Sequence, residues 1–296
     1  MSRVSALFAL VGALSVFIAG HAYAGDSDKG VARVVAFGGS CPGCSLSGRK
    51  LTGATFTGGN FNKATLVDAD LRGASFTSTS FVGADFSRAD LRSASLLGVN
   101  FSQAIFTEAR MDGLEGAGPN FTDADLKRAR LSAAELVGAN FFHANLTEAR
   151  MDGAELIASN LTETDAHRAD FHGADLSGAR LIRGKFIEAS FHGAVLDGAD
   201  LTGGDFARAD FHGASLESAR LYGADLSTAR GLDQDGIDDA CSDGSTRLPA
   251  GLVGKVCRGH TPGFAPRPPM PAMPHFPATP PAPPAPPAPP APIARR

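Results

Sequence analysis

Three histidines recur at equal spacing in one motif: Phe171-His172-Gly173-Ala174, Phe191-His192-Gly193-Ala194 and Phe211-His212-Gly213-Ala214. Imidazole changes charge near neutral pH and is a common zinc or copper ligand, so three of them brought together would act as a metal site or a coupled pH-responsive group. Asp152 precedes His172 by the same interval. Four cysteines offer a second chemistry: Cys41 and Cys44 in a Cys-Pro-Gly-Cys motif, and Cys241 and Cys257 far downstream. A redox-active CxxC needs its first thiol at a helix N-terminus, which lowers the thiol pKa. Cys41 instead leads straight into repeat sequence, and Ser45 stands where haem attachment needs histidine. No nucleophile triad, phosphate-binding glycine loop or spaced carboxylate pair rises above the background. The sequence reads as non-enzymatic and without a cofactor.

The histidines meet only if the chain returns to the same place every twenty residues. From Leu46 to Leu226 a large apolar residue occupies every fifth position without a slip in register: 35 of 37 are Leu, Phe or Met, and Gly116 and Ala166 depart. Phe86, Leu91, Phe101, Leu131, Leu176, Phe191 and Phe211 are among these predicted core residues. Two positions earlier stands a small residue, Ala in 26 of the 37 repeats. A period of five fits neither a helix at 3.6 nor a flat strand at 2. It fits a chain that turns a corner once per repeat, with the large side chain pointing inward and Ala inside the corner. A longer echo gives the number of sides. The histidine motif repeats at 20, and Thr107 to Gly113 returns as Thr147 to Gly153. Four fives make a four-sided coil, with residue i stacked on i+20 at the usual strand spacing of ~4.8 Å.

Units such as Ala84-Asp85-Phe86, Ala89-Asp90-Leu91 and Ala199-Asp200-Leu201 give the pattern Ala-Asp/Asn-Leu-x-x, and over residues 46–230 the chain resembles the pentapeptide repeat family. The resemblance implies an all-β fold, a right-handed quadrilateral parallel β-helix, here with about nine coils and a length of roughly 45 Å. Its interior is filled by side chains, leaving no room for a buried ligand. Gly116-Ala117-Gly118-Pro119 loses both the central apolar residue and the following Ala, and proline cannot donate to a ladder, so a kink or bulge is expected there.

The ends belong to other regimes. Arg3, the apolar run Val4 to Ala19 and Ala22-Tyr23-Ala24 form a signal peptide over residues 1–24. The run is shorter than the ~20 residues of a membrane helix, so the mature chain has no membrane span. Residues 25–45 form an N-terminal cap or linker, with Val34, Val35, Ala36 and Phe37 over the first coil. Residues 231–260 form a C-terminal cap, in which Asp233 starts a short helix running through Cys241 before a loop from Thr246 to Leu252. Residues 261–296 contain sixteen prolines and form a polyproline II tail, a spacer or a docking segment. Export places the cysteines in an oxidising compartment. A disulfide needs Cα atoms within ~7 Å, so clusters at opposite ends of the rod pair locally, Cys41 with Cys44 and Cys241 with Cys257.

Stacking by twenty sorts the surface into columns. One reads Arg110, Arg130, Arg150, Asp170; its neighbour reads Glu115, Glu135, Glu155, Asp175. Cross-corner ion pairs between them are expected. Asn60, Asn100, Asn120, Asn140 and Asn160, interrupted by Ser80, are expected to hydrogen-bond along the stack. Three functions follow. The first is a non-catalytic periplasmic or secreted scaffold, a monomer or end-to-end dimer, that presents flat faces to a protein or envelope partner. The resemblance implies a second, a DNA mimic protecting topoisomerase. Such a mimic needs a long anionic face, whereas residues 46–230 mix 24 acidic with 18 basic residues, which also argues against a nucleic-acid partner. The third is metal or pH sensing by His172, His192 and His212.

Overall fold

The computed structural model describes residues 39–257. The signal peptide, most of the 25–45 segment including Val34–Phe37, and the 261–296 tail lie outside the described residues. The described chain is a right-handed quadrilateral parallel β-helix in which residue i pairs with i+20 on all four sides.

In a complete repeat all five backbone donors have a role. Around Phe101, three N–H groups go to neighbouring coils: Phe101 donates to Asn120 O at 2.8 Å, Gln103 to Thr122 O at 2.8 Å, and Asn100 to Thr79 O at 3.0 Å. Ala104 N closes a turn onto Phe101 O at 3.0 Å. The fifth, Ser102 N, donates to the Asn100 side chain at 3.0 Å. The same Asx bond recurs at Asp85, Asp125, Asn145, Asp165 and Asp205, which explains why Asp and Asn dominate the position before the core residue. Where the turn bond closes, the corner is a type II turn, which requires positive φ at its third residue, and the corners after β1–β4 that lack the bond share that positive φ. All 37 such positions from Gly43 to Gly223 have positive φ, and 19 of them are not glycine, for example Arg128 at 57°. None of those 19 is β-branched, as the crowding of a branched Cβ in that region demands.

Only one side is regular enough for continuous strands: β1 (Thr55–Thr57), β2 (Ser75–Thr77), β3 (Ser95–Leu97) and β4 (Glu115–Ala117), in parallel order 1-2-3-4. The core inside is continuous, with Phe86, Leu91, Phe101, Leu131, Leu176, Phe191 and Phe211 at most 1% exposed. Its phenylalanines fall in two blocks. Phe61, Phe81, Phe101, Phe121 and Phe141 stack ring on ring at 5.0–5.6 Å, and nearer the C-terminus Phe171, Phe191 and Phe211 do the same at 5.0–5.1 Å.

The kink expected at Gly116–Pro119 is absent, and the ladder runs through it. Asn120 N reaches Val99 O at 3.0 Å and Asn140 N reaches Pro119 O at 3.0 Å. On this side of the helix Thr79 and Val99, stacked in the coils before Pro119, make no turn bond through their N–H groups, whereas Ala139 in the next coil donates to Leu136 O at 3.1 Å, so Pro119 continues the pattern of the preceding coils. Its buried ring also occupies volume a leucine at 116 would fill: a Cβ added to Gly116 would lie 3.3 Å from Pro119 Cγ and 3.2 Å from Leu136 Cδ2.

At the C-terminal end the register lengthens. Arg220 pairs with Cys241 and Asp225 with Arg247, offsets of 21 and 22 in place of 20. The extra residues accommodate helix α1 (Gln234–Asp239), N-capped by the Asp233 carboxylate, which accepts from Gly236 N at 2.9 Å. The helix stops two residues short of the expected Cys241, because Ala240 is already extended. Ile237 points inward and is fully buried. Cys241 is bonded to Cys257 and Cys41 to Cys44, with Cα separations of 5.4 and 5.5 Å.

Candidate functional site

The β-helix does bring the three histidines together. His172 and His192 stack with ring centroids 5.1 Å apart, and His192 and His212 lie 6.4 Å apart and tilted. Each is exposed at a corner followed by glycine. The first pair is stacked at 22° and the second tilted at 37°, whereas a tetrahedral metal needs three ring nitrogens converging on one point. Each flanking acid has its own partner. Asp210 accepts from the His212 backbone N–H and contacts its Nδ1, while Asp152 accepts from Ser132 Oγ at 2.6 Å. Among the described residues no group of three His, Cys, Asp or Glu side chains is placed to hold a metal ion. Coordination by His172, His192 and His212 therefore has no geometric support in this arrangement.

The asparagine ladder forms as the spacing implies. Asn120 donates to Asn100 at 3.3 Å, Asn140 to Asn120 at 3.3 Å and Asn160 to Asn140 at 2.9 Å. The cross-corner Arg–Glu pairs do not. Arg110 turns to Asp90 at 3.8 Å and Arg130 to Asp112 at 3.4 Å. Side chains on adjacent sides of a square rod diverge, while those one coil apart lie within a strand spacing, so these two arginines pair along the stack.

The most extensive pairing lies in a column that sequence reading passed over, two residues after the core position. It alternates in charge through eight coils: Asp68, Arg88, Glu108, Arg128, Glu148, Arg168, Glu188, Arg208. Arg88 bonds Asp68 at 2.8 Å, Arg128 lies 3.4 Å from Glu108, Arg168 bonds Glu188 at 2.6 Å, and Arg208 also bonds Glu188. Counting in twenties from this position, instead of from the residue before the core, exposes the alternation. The Arg88 guanidinium holds the Asp68 carboxyl below the usual carboxylate range. The hydrogen bond from Arg72 takes Asp70 to about 2. These are ionised structural pairs on an exposed edge, and such pairs are generally worth ~0–1 kcal/mol.

Where the surface is concave it is shallow. One cleft of about 390 Å³ lies against the C-terminal cap beside Ser242, Leu248 and Val253, and one of about 380 Å³ lies over Arg128, Arg130, Glu148 and Arg150. Neither of these two clefts joins a nucleophile to a base. One side carries β1–β4. There Glu115, Glu135 and Glu155 stack beside Leu97, Ala117, Val137 and Ile157.

A family model described as pentapeptide repeats matches the chain in eight copies, over residues 40–77, 50–88, 84–114, 120–156, 149–186 and 189–227. The break between 114 and 120 coincides with Gly116–Pro119. Among solved structures, HetL, a pentapeptide repeat protein involved in heterocyst differentiation regulation from the cyanobacterium Nostoc sp. Strain PCC 7120, superposes with a TM-score of 0.61 at 28% identity, covering 67% of this chain and 91% of that one. A trypsin-treated form of QnrB1, a plasmid-mediated fluoroquinolone resistance protein, aligns at 24% identity over 70% of this chain and 92% of that one, with a TM-score of 0.37. Rfr23, a pentapeptide repeat protein from the cyanobacterium Cyanothece 51142, aligns at 26% identity over 43% of this chain and 94% of that one, with a TM-score of 0.30. No curated protein matches the chain.

Proposed function

The chain belongs to the pentapeptide repeat family, and on that premise we propose that it is a non-catalytic scaffold of the periplasm or cell exterior whose flat faces bind a protein or envelope partner. The observation that carries this reading is the filled interior. Central residues from Phe56 to Leu226 are buried almost without interruption, so recognition falls to the outer columns. The leader-like Arg3, Val4–Ala19 and Ala22-Tyr23-Ala24 support export, and paired cysteines at both ends suit an oxidising compartment. The proline-rich residues 261–296 then serve as spacer or docking segment. A topoisomerase-protecting role is disfavoured by the surface itself, because a column alternating Asp68, Arg88, Glu108 and Arg128 is not a continuous anionic face.

Cell fractionation followed by periplasmic crosslinking, with the full chain and a chain ending at residue 260, tests the proposal. The expected result is a discrete crosslinked species in the extracytoplasmic fraction. Recovery of the chain in the cytoplasm, with its leader intact, would overturn it.

A further inference from the structure

We propose that the side carrying β3 and β4, between Ser95 and Asp175, is the docking face, and that its partner is a protein segment bearing basic and apolar side chains together. This rests on the scaffold reading above and names which face and which partner chemistry that scaffold uses.

On this side each short strand points one residue inward and two outward. Glu115 and Ala117 flank Gly116, Glu135 and Val137 flank Leu136, and Glu155 and Ile157 flank Leu156. Stacking aligns these into two rows, one of carboxylates and one of apolar groups. Leu97 is 55% exposed and Val137 45%. The turn residues beside the apolar row are Gly98, Gly118, Gly138 and Ala158, so nothing larger than a methyl obstructs approach. The patch is bounded: Thr57 and Thr77 precede Leu97 in its column, and Ser177 follows Ile157. Four coils at strand spacing make it ~15 Å long.

The charge on this face is what identifies its partner. Several acids elsewhere on the rod have a cation one coil away, as in Asp68 with Arg88, Glu163 with Arg183 and Glu188 with Arg168. Among the described residues, the side chains of Glu115, Glu135 and Glu155 make no hydrogen bond or ion pair, although the parallel register stacks these like charges one strand spacing apart. Like charges opposed across a ladder are destabilising. A row of lysines or arginines on a partner removes that repulsion, while its apolar side chains cover Leu97, Val137 and Ile157. Complementary charge also steers the encounter and fixes its register.

The test uses the disulfide-bonded full chain lacking residues 1–24 and two fluorescent peptides, four repeats of Lys-Leu-Ser and four of Glu-Leu-Ser, followed by fluorescence anisotropy. The lysine peptide is expected to bind and the glutamate peptide not. Glu135→Gln with Glu155→Gln, and separately Val137→Asp, are expected to weaken binding by about tenfold, a loss of ~1.4 kcal/mol. Glu163→Gln with Glu188→Gln, on other corners, should leave it within about twofold, ~0.4 kcal/mol. Circular dichroism confirms that each variant is folded. The proposal is overturned if the lysine peptide does not bind, or if the control pair loses as much as the face variants. It is equally overturned if sedimentation shows the wild-type chain dimerising through Val137, since the occupant is then a second copy. In the crosslinking experiment, a partner retained by Glu135→Gln/Glu155→Gln would sink the face assignment and spare the scaffold; recovery of the chain in the cytoplasm would sink the scaffold reading first.

Discussion

Phe101→Ala is the substitution that most directly tests how the rod holds together. The ring is fully buried and lies 5.1–6.3 Å from five others, Phe76, Phe81, Phe86, Phe106 and Phe121. Truncating a buried phenylalanine costs ~3–5 kcal/mol, depending on how far the surroundings relax into the hole. Here they are constrained. Coils on either side are held by ladder bonds such as Phe101 N to Asn120 O at 2.8 Å, so the backbone cannot close the gap. Each lost aromatic pair adds ~0.5–1.5 kcal/mol beyond buried area, which places the expected cost at the upper end, ~4–5 kcal/mol. Phe211→Ala is the internal comparison. Among the described residues the rings it meets are Phe191 and Phe206, and it lies near the C-terminal end, so ~3 kcal/mol is expected. Guanidinium unfolding of both variants, followed by far-ultraviolet circular dichroism, gives the difference from midpoints at constant slope. A Phe101→Ala cost no larger than that of Phe211→Ala would refute the argument that central coils are the less able to relax.

Restoring the repeat at its flaw should harm the protein. Gly116→Leu is expected to lose ~1–3 kcal/mol by overpacking against Leu136, Leu96 and Pro119, and the added Pro119→Ala should recover part of it; a stabilised Gly116→Leu would show that the space is open. Ser159→Ala should gain ~1 kcal/mol, because Ser159 Oγ is buried without a hydrogen-bond partner at a position where most repeats carry Ala, and a lower thermal midpoint would contradict this. Acid should weaken the fold in a defined window. Asp70 is held at about 2 by Arg72, below its unfolded value near ~3.9, so its contribution is present above pH ~4 and is lost as pH falls towards 2. The stability gap between the wild type and Arg72→Gln should therefore be open at pH ~5 and closed by pH ~2, and a gap independent of pH would refute the assignment.

Much of this molecule is legible in its sequence because the repeat is short and its register unbroken. An apolar residue every five positions and an echo every twenty are enough to place Phe101 inside and His172 beneath His192. They also set the two cysteine clusters at opposite ends. Asn120 bonds to Asn100 as the spacing implies, since residues stacked one strand apart have little freedom to miss each other. Counting gives position, however, and not direction. It placed Arg130 on a side next to Glu135, yet the arginine turns along the rod to Asp112. Likewise it set three imidazoles in a column without giving the angles at which the rings meet, 22° and 37°.

The flaw at Gly116–Pro119 draws the same boundary. The sequence by itself determined the coil number, the inward residues, the corner alanines and the ladder columns, all of which follow from one period imposed on a chain with fixed bond geometry. Only the tertiary structure decided that the ladder runs through Pro119, because that depends on which N–H groups the preceding coils use on the same side, and on whether a ring can occupy the space of an absent leucine. It also decided which surface charges are paired within the rod and which, at Glu115, Glu135 and Glu155, are left facing outward. Side-chain direction and volume are properties of neighbours in space, and a one-dimensional period does not carry them.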